Sequence, residues 1–257
     1  MFHLGAKVED IETWRKAEAI DKVLRALSSR DPRVRLAAAS ALGKMRPKGP
    51  QINKIIAALS DPVPPVRAAV ATALRQVDSN EDYTSSATLN SVVAALIRHL
   101  DDAPQVVASV APALRWFVVY HRPGVFAFQI RPEAVEALIM AMNRTEDKVA
   151  REAVRQSIGD LLLWIGGGGP EVLVAISSVL SQKQGLARQT VDDLLEMFAE
   201  YYININFGTI EPLNPEESLS GRILTKFGPA AGRQLIKVGE RRHESHAVAF
   251  GRKLVRR

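Results

Sequence analysis

A proline turn that leads directly into an alanine-rich helix is the sequence feature that most constrains this fold. Residues 61–74 open with Asp-Pro-Val-Pro-Pro, and Pro64 suits the turn before a helix because its φ angle is fixed. From Val66 onward, apolar residues recur at i, i+4, i+7, i+8 and i+11, which predicts a helix with one apolar face. One short helix of this kind cannot bury that face alone, so stable folding requires repeated copies that stack.

Diluted copies of this pattern occur before and after residues 61–74. An apolar residue starts the second helix of each copy, and these five anchors are Val34, Val66, Val106, Val149 and Leu186. The first three anchors are each preceded by a proline two residues earlier and followed by a leucine eight residues later. The fifth anchor also has the leucine, whereas the fourth copy lacks both residues. Apolar helices are also predicted before the anchors, over residues 17–28, 52–60, 88–100, 132–143 and 170–181.

The repeated pattern predicts an all-α fold, an α–α superhelix of about five helical hairpins with capping helices. We expect the solenoid to occupy residues 1–200, with an additional helix around residues 8–15. Residues 201–257 are predicted to form an irregular connector and basic C-terminal capping helices, because residues 201–221 are rich in Asn, Gly and Pro. A long basic helix is predicted from about residue 230 to the end, although Gly232, Gly239 and Gly251 weaken it.

Composition narrows the possible chemistry. The 257 residues include no cysteine, which excludes disulfides, zinc–thiolate sites and a thiol nucleophile. No apolar run approaches the roughly 20 residues that span a bilayer, and acidic residues follow the N-terminus instead of an apolar signal segment. We therefore expect a cytoplasmic protein without a transmembrane segment. The net charge of +6 is uneven, since ten basic residues from Arg222 onward face only Glu240 and Glu244, a local net charge of +8.

Two segments carry a resemblance to a known family. Residues 34–43 (VRLAAASALG) and 61–74 (DPVPPVRAAVATAL) resemble HEAT repeats, in particular the short, alanine-rich kind called phycobilisome-lyase HEAT-like repeats. The third copy keeps Asp101 and Pro104 but has Val107 in place of the arginine, and the fourth has Ala150 there. The resemblance, over about residues 17–198, implies an α-solenoid that acts as a scaffold or binding surface. It also implies that Arg35 and Arg67 each contact an aspartate of a neighbouring turn as a structural ladder.

Arginines recur on the helix positions farthest from the apolar face. Helical steps of 100° place positions 2, 6 and 9 after each anchor opposite the core, and these hold Arg75, Arg115, Arg151, Arg155 and Arg188. We interpret the five arginines, with Trp116 nearby, as a concave ribbon that binds a protein or peptide partner, most plausibly an acidic one. The alternative is that these are ordinary solvated helix positions.

The basic C-terminal residues form a second candidate anion-binding surface. They are Arg241, Arg242, Arg252, Lys253, Arg256 and Arg257. This tail suits phosphates of nucleic acid or of an anionic membrane surface, with strongly salt-dependent affinity. Alternatively, its apolar side caps the end of the solenoid while its charges face water.

Catalytic motifs are poorly represented. His243 and His246 with Glu240 lack a fourth metal ligand, and the glycines at 166–169 lack the Lys-Ser/Thr of a phosphate loop. A DNA glycosylase would need a carboxylate beside aromatic residues, for which Asp147, Asp160, Glu196, Trp116 and Trp164 are the candidates. Residues 120–129 and 201–207 are the best exposed-aromatic candidates for protein recognition. We therefore predict a non-enzymatic scaffold without cofactor or metal. A nucleic-acid-binding protein is the alternative, and a lyase or glycosylase is the less favoured one.

Overall fold

The computed structural model describes residues 6–77, 86–121, 128–163, 169–182, 185–206 and 218–256. Within these ranges the chain forms thirteen α-helices, one short 3₁₀ helix (His99–Asp101) and two three-residue strands, β1 (Val119–His121) and β2 (Phe128–Ile130). The helices are α1 (Val8–Lys16), α2 (Ile20–Ala26), α3 (Pro32–Met45), α4 (Pro50–Ala58), α5 (Pro64–Leu74), α6 (Ser86–Arg98), α7 (Pro104–Val118), α8 (Pro132–Arg144), α9 (Lys148–Leu162), α10 (Gly169–Gln182), α11 (Arg188–Asn206), α12 (Leu219–Arg241) and α13 (Ser245–Arg256).

The chain divides into two compact units. Unit 1 comprises the described residues within Met1–Phe126 and Arg144–Ser157, and unit 2 those within Ala127–Asn143 and Ile158–Arg257. The predicted division into a solenoid (1–200) and a C-terminal region (201–257) remains a prediction. The first six residues of the predicted irregular connector are helical, because α11 continues to Asn206.

In unit 1, successive helical hairpins stack side by side. Helix α3 packs on α5 and α5 packs on α7, forming one row, while α2, α4 and α6 form a second row. Each helix of the second row packs on its partner in the first: α2 on α3, α4 on α5 and α6 on α7. Helix α1 packs against α3 and α2, so it covers the end of the first hairpin. These contacts confirm the predicted stacked hairpins for the first three copies.

The sequence register explains why these helices begin where they do. Prolines occupy the first helical position of α3, α5 and α7, where a missing N–H costs no hydrogen bond. Two residues later, the predicted anchors Val34, Val66 and Val106 are buried, as are the leucines eight positions beyond them. The anchor is therefore the third residue of each second helix, and its burial fixes which face turns inward.

The predicted anchors of the fourth and fifth copies are wrong. Val149 is 71% exposed, whereas Ala150, the third residue of α9, is fully buried. The Asp147 carboxylate accepts a hydrogen bond from the Ala150 N–H at 2.8 Å and thereby caps α9, which fixes this register. In α11 the buried third residue is Thr190, and Leu186 precedes the helix. The five anchors are thus Val34, Val66, Val106, Ala150 and Thr190.

Unit 2 contains two long helices that run in the same direction. Glu196 of α11 contacts Lys237 and Arg241 of α12, Glu200 contacts Arg241, and Asn204 contacts Arg242, so both sequence numbers rise together. Helix α12 bends at Gly228, whose φ of 52° is followed by Pro229. The two helices therefore lie as parallel neighbours and not as the two arms of one hairpin.

The helix predicted from about residue 230 to the end is two helices, namely the part of α12 that follows Gly228, and α13. His243 adopts a φ of 60° in the turn between them, and the Glu244 N–H donates to the Gly239 carbonyl at 2.7 Å. Helix α13 then folds back antiparallel on α12, with Phe250 and Leu254 buried. Within the described part of the chain, no helix combines the length and apolar character needed to cross a membrane.

Candidate binding surfaces

Two arginine–aspartate pairs connect neighbouring hairpins of unit 1. Arg35 of α3 forms two hydrogen bonds with Asp61, at 2.6 and 3.0 Å, across the turn between α4 and α5. One repeat further on, Arg67 forms the equivalent pair with Asp102, including a 2.8 Å bond from Nε to Oδ2. Each arginine also donates to a backbone carbonyl of its own hairpin, Ser29 for Arg35 and Asp61 for Arg67. These contacts confirm the predicted structural ladder.

The structure corrects one member of the ladder. The partner of Arg67 is Asp102 and not Asp101, the residue that matches the repeat pattern. Asp102 also bonds His99 Nδ1 at 2.9 Å and its side chain is 13% exposed, whereas the Asp101 side chain is 76% exposed and lies 3.4 Å from Arg144. The 3₁₀ turn before α7 brings Asp102 inward, and sequence alignment alone gives no sign of this turn.

The ladder carboxylates have low pKa values. Burial raises the pKa of Asp102, but hydrogen bonds from Arg67, His99 and the Ala103 N–H outweigh it and bring the pKa to about 2. Burial likewise opposes ionisation of Asp61, yet Arg35 and the Val63 N–H hold its pKa below the ordinary value. Both aspartates are therefore stabilised in their charged form.

We expect acid to weaken unit 1 through these aspartates. A carboxyl whose folded pKa lies below its unfolded value contributes stability above the unfolded pKa, about 4, and loses it as pH falls. The contribution of Asp102 should be complete at pH 5 and disappear as pH approaches 2. Urea unfolding of the wild type and of Asp102→Asn at pH 5, 3.5 and 2.5 measures it. The two unfolding free energies should converge as pH falls, and a constant difference would contradict the assignment.

Arg75, Arg115 and Trp116 occupy a common level on two adjacent helices. Arg75 and Arg115 stand nine residues after the buried anchors of α5 and α7, and these helices pack on each other. Arg75 is exposed and Arg115 is half-buried. Trp116 is 52% exposed, in contrast to the neighbouring Phe117, which is buried. We call these three residues the Trp116 patch.

The other three predicted ribbon arginines do not share that position. With Ala150 as the anchor of α9, Arg151 takes the place after the anchor that Arg35 and Arg67 take in their helices. Arg155 is half-buried and lies 3.7 Å from Glu152. Arg188 is the first residue of α11, with an exposed side chain 3.8 Å from Asp192. The continuous five-arginine ribbon is therefore not supported, because its last three members depended on anchors that the structure corrects.

The predicted C-terminal anion surface is partly occupied by internal contacts. Arg241 forms ion pairs with Glu196 at 3.0 Å and with Glu200, and Arg242 donates to Asn204 at 2.6 Å. Arg252, Lys253 and Arg256 lie exposed on α13, on the side away from α12. Arg257 lies outside the described residues.

Two of the three carboxylates predicted as glycosylase candidates, Glu196 and Asp147, take part in structural contacts. Burial alone would raise the pKa of Glu196, but Lys237 and Arg241 lower it below the ordinary value. Asp147 caps α9, and Trp164 lies outside the described residues. In the described part of the chain, no three His, Asp or Glu side chains are grouped to hold a metal ion.

The two aromatic segments predicted for recognition are only partly described. In the first, residues 122–127 lie outside the described ranges. In the second, Tyr202 is buried and stacks against Phe250 with ring centroids 5.6 Å apart, so its aromatic ring packs α11 against α13. Phe207 lies outside the described residues.

A basic cleft that the sequence reading missed lies at the C-terminal end of α3, the end opposite the ladder. Its volume is about 740 Å³, and its charged lining residues are Arg15, Lys44, Arg46, Lys48 and Glu18. A sequence signal was available, because residues 32–60 contain six basic side chains and no acidic one.

Comparison with known proteins agrees with this fold. Residues 19–45 match the family model of the HEAT repeat. A crystal structure of importin beta in a polyethylene glycol condition is similar to this chain, with a TM-score of 0.58 and 15% sequence identity. The similarity covers 96% of this chain and 33% of importin beta, so the chain spans about a third of that protein's length. No curated protein matches the sequence.

The chain thus has the fold of a HEAT-repeat α-solenoid, and residues 19–45 carry the HEAT-repeat match. The resemblance to phycobilisome-lyase HEAT-like repeats stays a prediction.

Proposed function

We propose that this protein is a non-enzymatic scaffold that binds an acidic protein or peptide segment through the Trp116 patch. The observation that carries the proposal is the half-exposed indole of Trp116 beside Arg115. Tryptophan and arginine are enriched among the side chains that dominate binding energy at protein interfaces. Arg75 adds a second cation one repeat away, which suits a segment with carboxylates flanking an apolar residue.

The Arg–Asp ladder supports this function by holding the patch in a fixed geometry. Arg67 joins the α4–α5 hairpin to Asp102 before α7, so the helices that carry Arg75 and Trp116 are tied together. A surface that is ordered before binding loses less conformational entropy when the partner arrives. We include a cytoplasmic location in the proposal, because a cysteine-free chain fits a reducing compartment.

Nucleic-acid binding is the second candidate, and the exposed cations Arg252 and Arg256 on α13 favour it. It has less support, because Arg241 and Arg242 already contact Glu196, Glu200 and Asn204. The two candidates respond differently to salt. Binding through many phosphates weakens steeply between roughly 50 and 200 mM salt, whereas binding through Trp116 and two arginines should weaken less, because fewer charges take part.

We expect Trp116→Ala to reduce capture of the partner on the order of tenfold, because the indole supplies the apolar anchor of the patch. The experiment immobilises the full chain, exposes it to lysate of the native host and quantifies bound proteins and nucleic acid by mass spectrometry and absorbance. The matched control is Val174→Ala, since Val174 is 54% exposed on α10 of unit 2.

Two results would overturn the scaffold proposal. One is an unchanged set and amount of captured proteins with Trp116→Ala. The other is captured nucleic acid that disappears with Arg252→Gln and Arg256→Gln while Trp116→Ala has no effect, which would establish the second candidate instead.

A further inference from the structure

The basic cleft of unit 1 combines an excess of positive charge with an apolar wall. It lies where the C-terminal end of α1, the start of α2, the end of α3 and the start of α4 meet. Arg15, Lys44, Arg46 and Lys48 contribute cations, and Glu18 is the one carboxylate among the lining residues. Its apolar wall is formed by Ile20, Met45 and Pro50. A volume of about 740 Å³ lies in the range of small-molecule sites.

Cations outnumber carboxylates among the residues that line the cleft. Arg15 is paired with Glu12, with a 2.8 Å bond from its Nε. Of the six cations between residues 32 and 60, Arg33 and Arg35 are paired with Asp31 and Asp61 at the far end of α3. Lys44, Arg46 and Lys48 therefore concentrate positive charge at the near end, in a segment of sequence without a single carboxylate.

Helix dipoles account for only part of this arrangement. Lys44 lies in the last turn of α3, where a cation interacts favourably with the helix dipole. Arg46 and Lys48 directly precede α4, whose N-terminal end is positive and disfavours neighbouring cations. The N-cap residue of α4 is Gly49, which has no side chain to cap the first turn. The N–H groups of Gln51 and Ile52 in this turn already donate to the Lys48 and Gly49 carbonyls, so the positive charge of the cleft comes from its side chains.

The backbone around the cleft adopts defined and uncommon conformations. Glu18 and Arg46 have φ angles of 52° and 47°, which are rare for residues other than glycine, and Gly49 has a φ of 53°. These three residues shape the two turns that bound the cleft. Gln51 Oε1 accepts a hydrogen bond from the Lys48 N–H at 3.1 Å and fixes the second turn onto α4.

We propose that this cleft binds a small organic anion that carries two or more phosphate groups. Several convergent cations favour phosphate oxygens, which accept charge-assisted hydrogen bonds. The wall of Ile20, Met45 and Pro50 favours an organic part attached to them. This site is separate from the Trp116 patch, so it is a second binding activity of the same chain.

Calorimetric titration of the full chain with inorganic tripolyphosphate and with a nucleoside triphosphate tests the proposal. We expect saturable binding of at least one of them at low salt that weakens as ionic strength rises. The triple variant Lys44→Gln, Arg46→Gln, Lys48→Gln should bind about tenfold or more weakly, because it removes three charge-assisted contacts. Equal affinity for both probes identifies the phosphates as the bound groups, and tighter binding of the nucleoside triphosphate adds a contact with the apolar wall.

The control is the triple variant Arg25→Gln, Arg30→Gln, Arg98→Gln, which removes the same charge from exposed positions of unit 1 outside the cleft lining. It should retain wild-type affinity, and circular dichroism should show both variants folded. Absence of saturable binding by the wild type, or an equal loss in both triple variants, would overturn the proposal. Binding of a polyglutamate peptide without binding of tripolyphosphate would also overturn it. Trp116→Ala should leave phosphate binding unchanged, so failure of this site and failure of the scaffold function are distinguishable.

Discussion

Replacing Gly251 with Ala is expected to destabilise the packing of α13 on α12 by about 2 to 4 kcal/mol. A Cβ atom at residue 251 would lie 2.7 Å from the carbonyl oxygen of Gly232 and 3.0 Å from the Ile236 nitrogen. Both are backbone atoms of α12, so they cannot move aside as a flexible side chain would. The gain in helix propensity, about 1 kcal/mol, does not offset the separation of the two helices.

Gly159→Ala is the matched control for this substitution. Gly159 lies inside α9, and a Cβ atom there would meet nothing within 4 Å. Its change should therefore be neutral or stabilising by up to about 1 kcal/mol. Urea unfolding gives the free energies, and hydrogen exchange should show faster exchange of α13 amides in Gly251→Ala alone. Equal stability of the two variants would show that α12 and α13 are not in this close contact.

The second large effect is expected from Asp102→Ala, which should destabilise unit 1 by about 2 to 3 kcal/mol. The substitution removes both hydrogen bonds between Arg67 and Asp102, while the Arg67 side chain stays mostly buried. The hydrogen bond from Arg67 to the Asp61 carbonyl is retained. The substitution also removes the partner of His99. A buried charge that has lost its partner lowers the free energy of unfolding by more than the net contribution of the ion pair. These side chains are partly exposed, so the loss is smaller than for a fully buried pair.

The adjacent aspartate provides a control that differs only in position. Asp101→Ala removes a carboxylate of the same chemistry from a highly exposed position, where an ion pair contributes at most about 0.5 to 1 kcal/mol. Urea unfolding of both variants at pH 7 measures the difference. If Asp101→Ala were the more destabilising of the two, the ladder would follow the repeat pattern of the sequence and not the contacts seen here.

The two predictions concern different ways of joining helices. In unit 1, charged pairs at the turns lock hairpins whose helices meet through alanine and valine. In unit 2, Gly232, Gly239 and Gly251 let the backbones of the last two helices approach closely. Within unit 1, Arg67 and Asp102 lie at the N-terminal ends of α5 and α7, whereas Arg75 and Trp116 lie at their C-terminal ends.

Helix positions and most buried residues could be predicted from sequence, because they depend on local periodicity. The Pro-x-Val pattern located α3, α5 and α7, and the spacing to Leu42, Leu74 and Leu114 identified their inward faces. The same reasoning misplaced the face of α9 by one residue. Val149 resembles an anchor in sequence, but the Asp147 cap starts the helix at Lys148 and turns Ala150 inward.

The candidate sites were less predictable, because each depends on residues distant in sequence. Arg75, Arg115 and Trp116 could be assigned to two adjacent helices from sequence, because each follows a correctly predicted anchor by nine or ten residues. Arg151, Arg155 and Arg188 were grouped with them through errors in register that the buried Ala150 and Thr190 reveal. The basic cleft escaped notice because its residues come from two turns about 30 residues apart, and no single motif contains them.

The sequence by itself determined that this chain forms stacked helical hairpins, because a 3.6-residue apolar period with prolines before it leaves no other way to bury the apolar faces. Only the tertiary structure decided which aspartate forms the ion pair with Arg67. Asp101 and Asp102 are adjacent residues of the same type, but the Asp102 side chain is mostly buried and the Asp101 side chain is exposed. The tertiary structure also decided the structural role of Gly232, Gly239 and Gly251. Taken alone they weaken a helix, and in the fold they let two backbones approach each other.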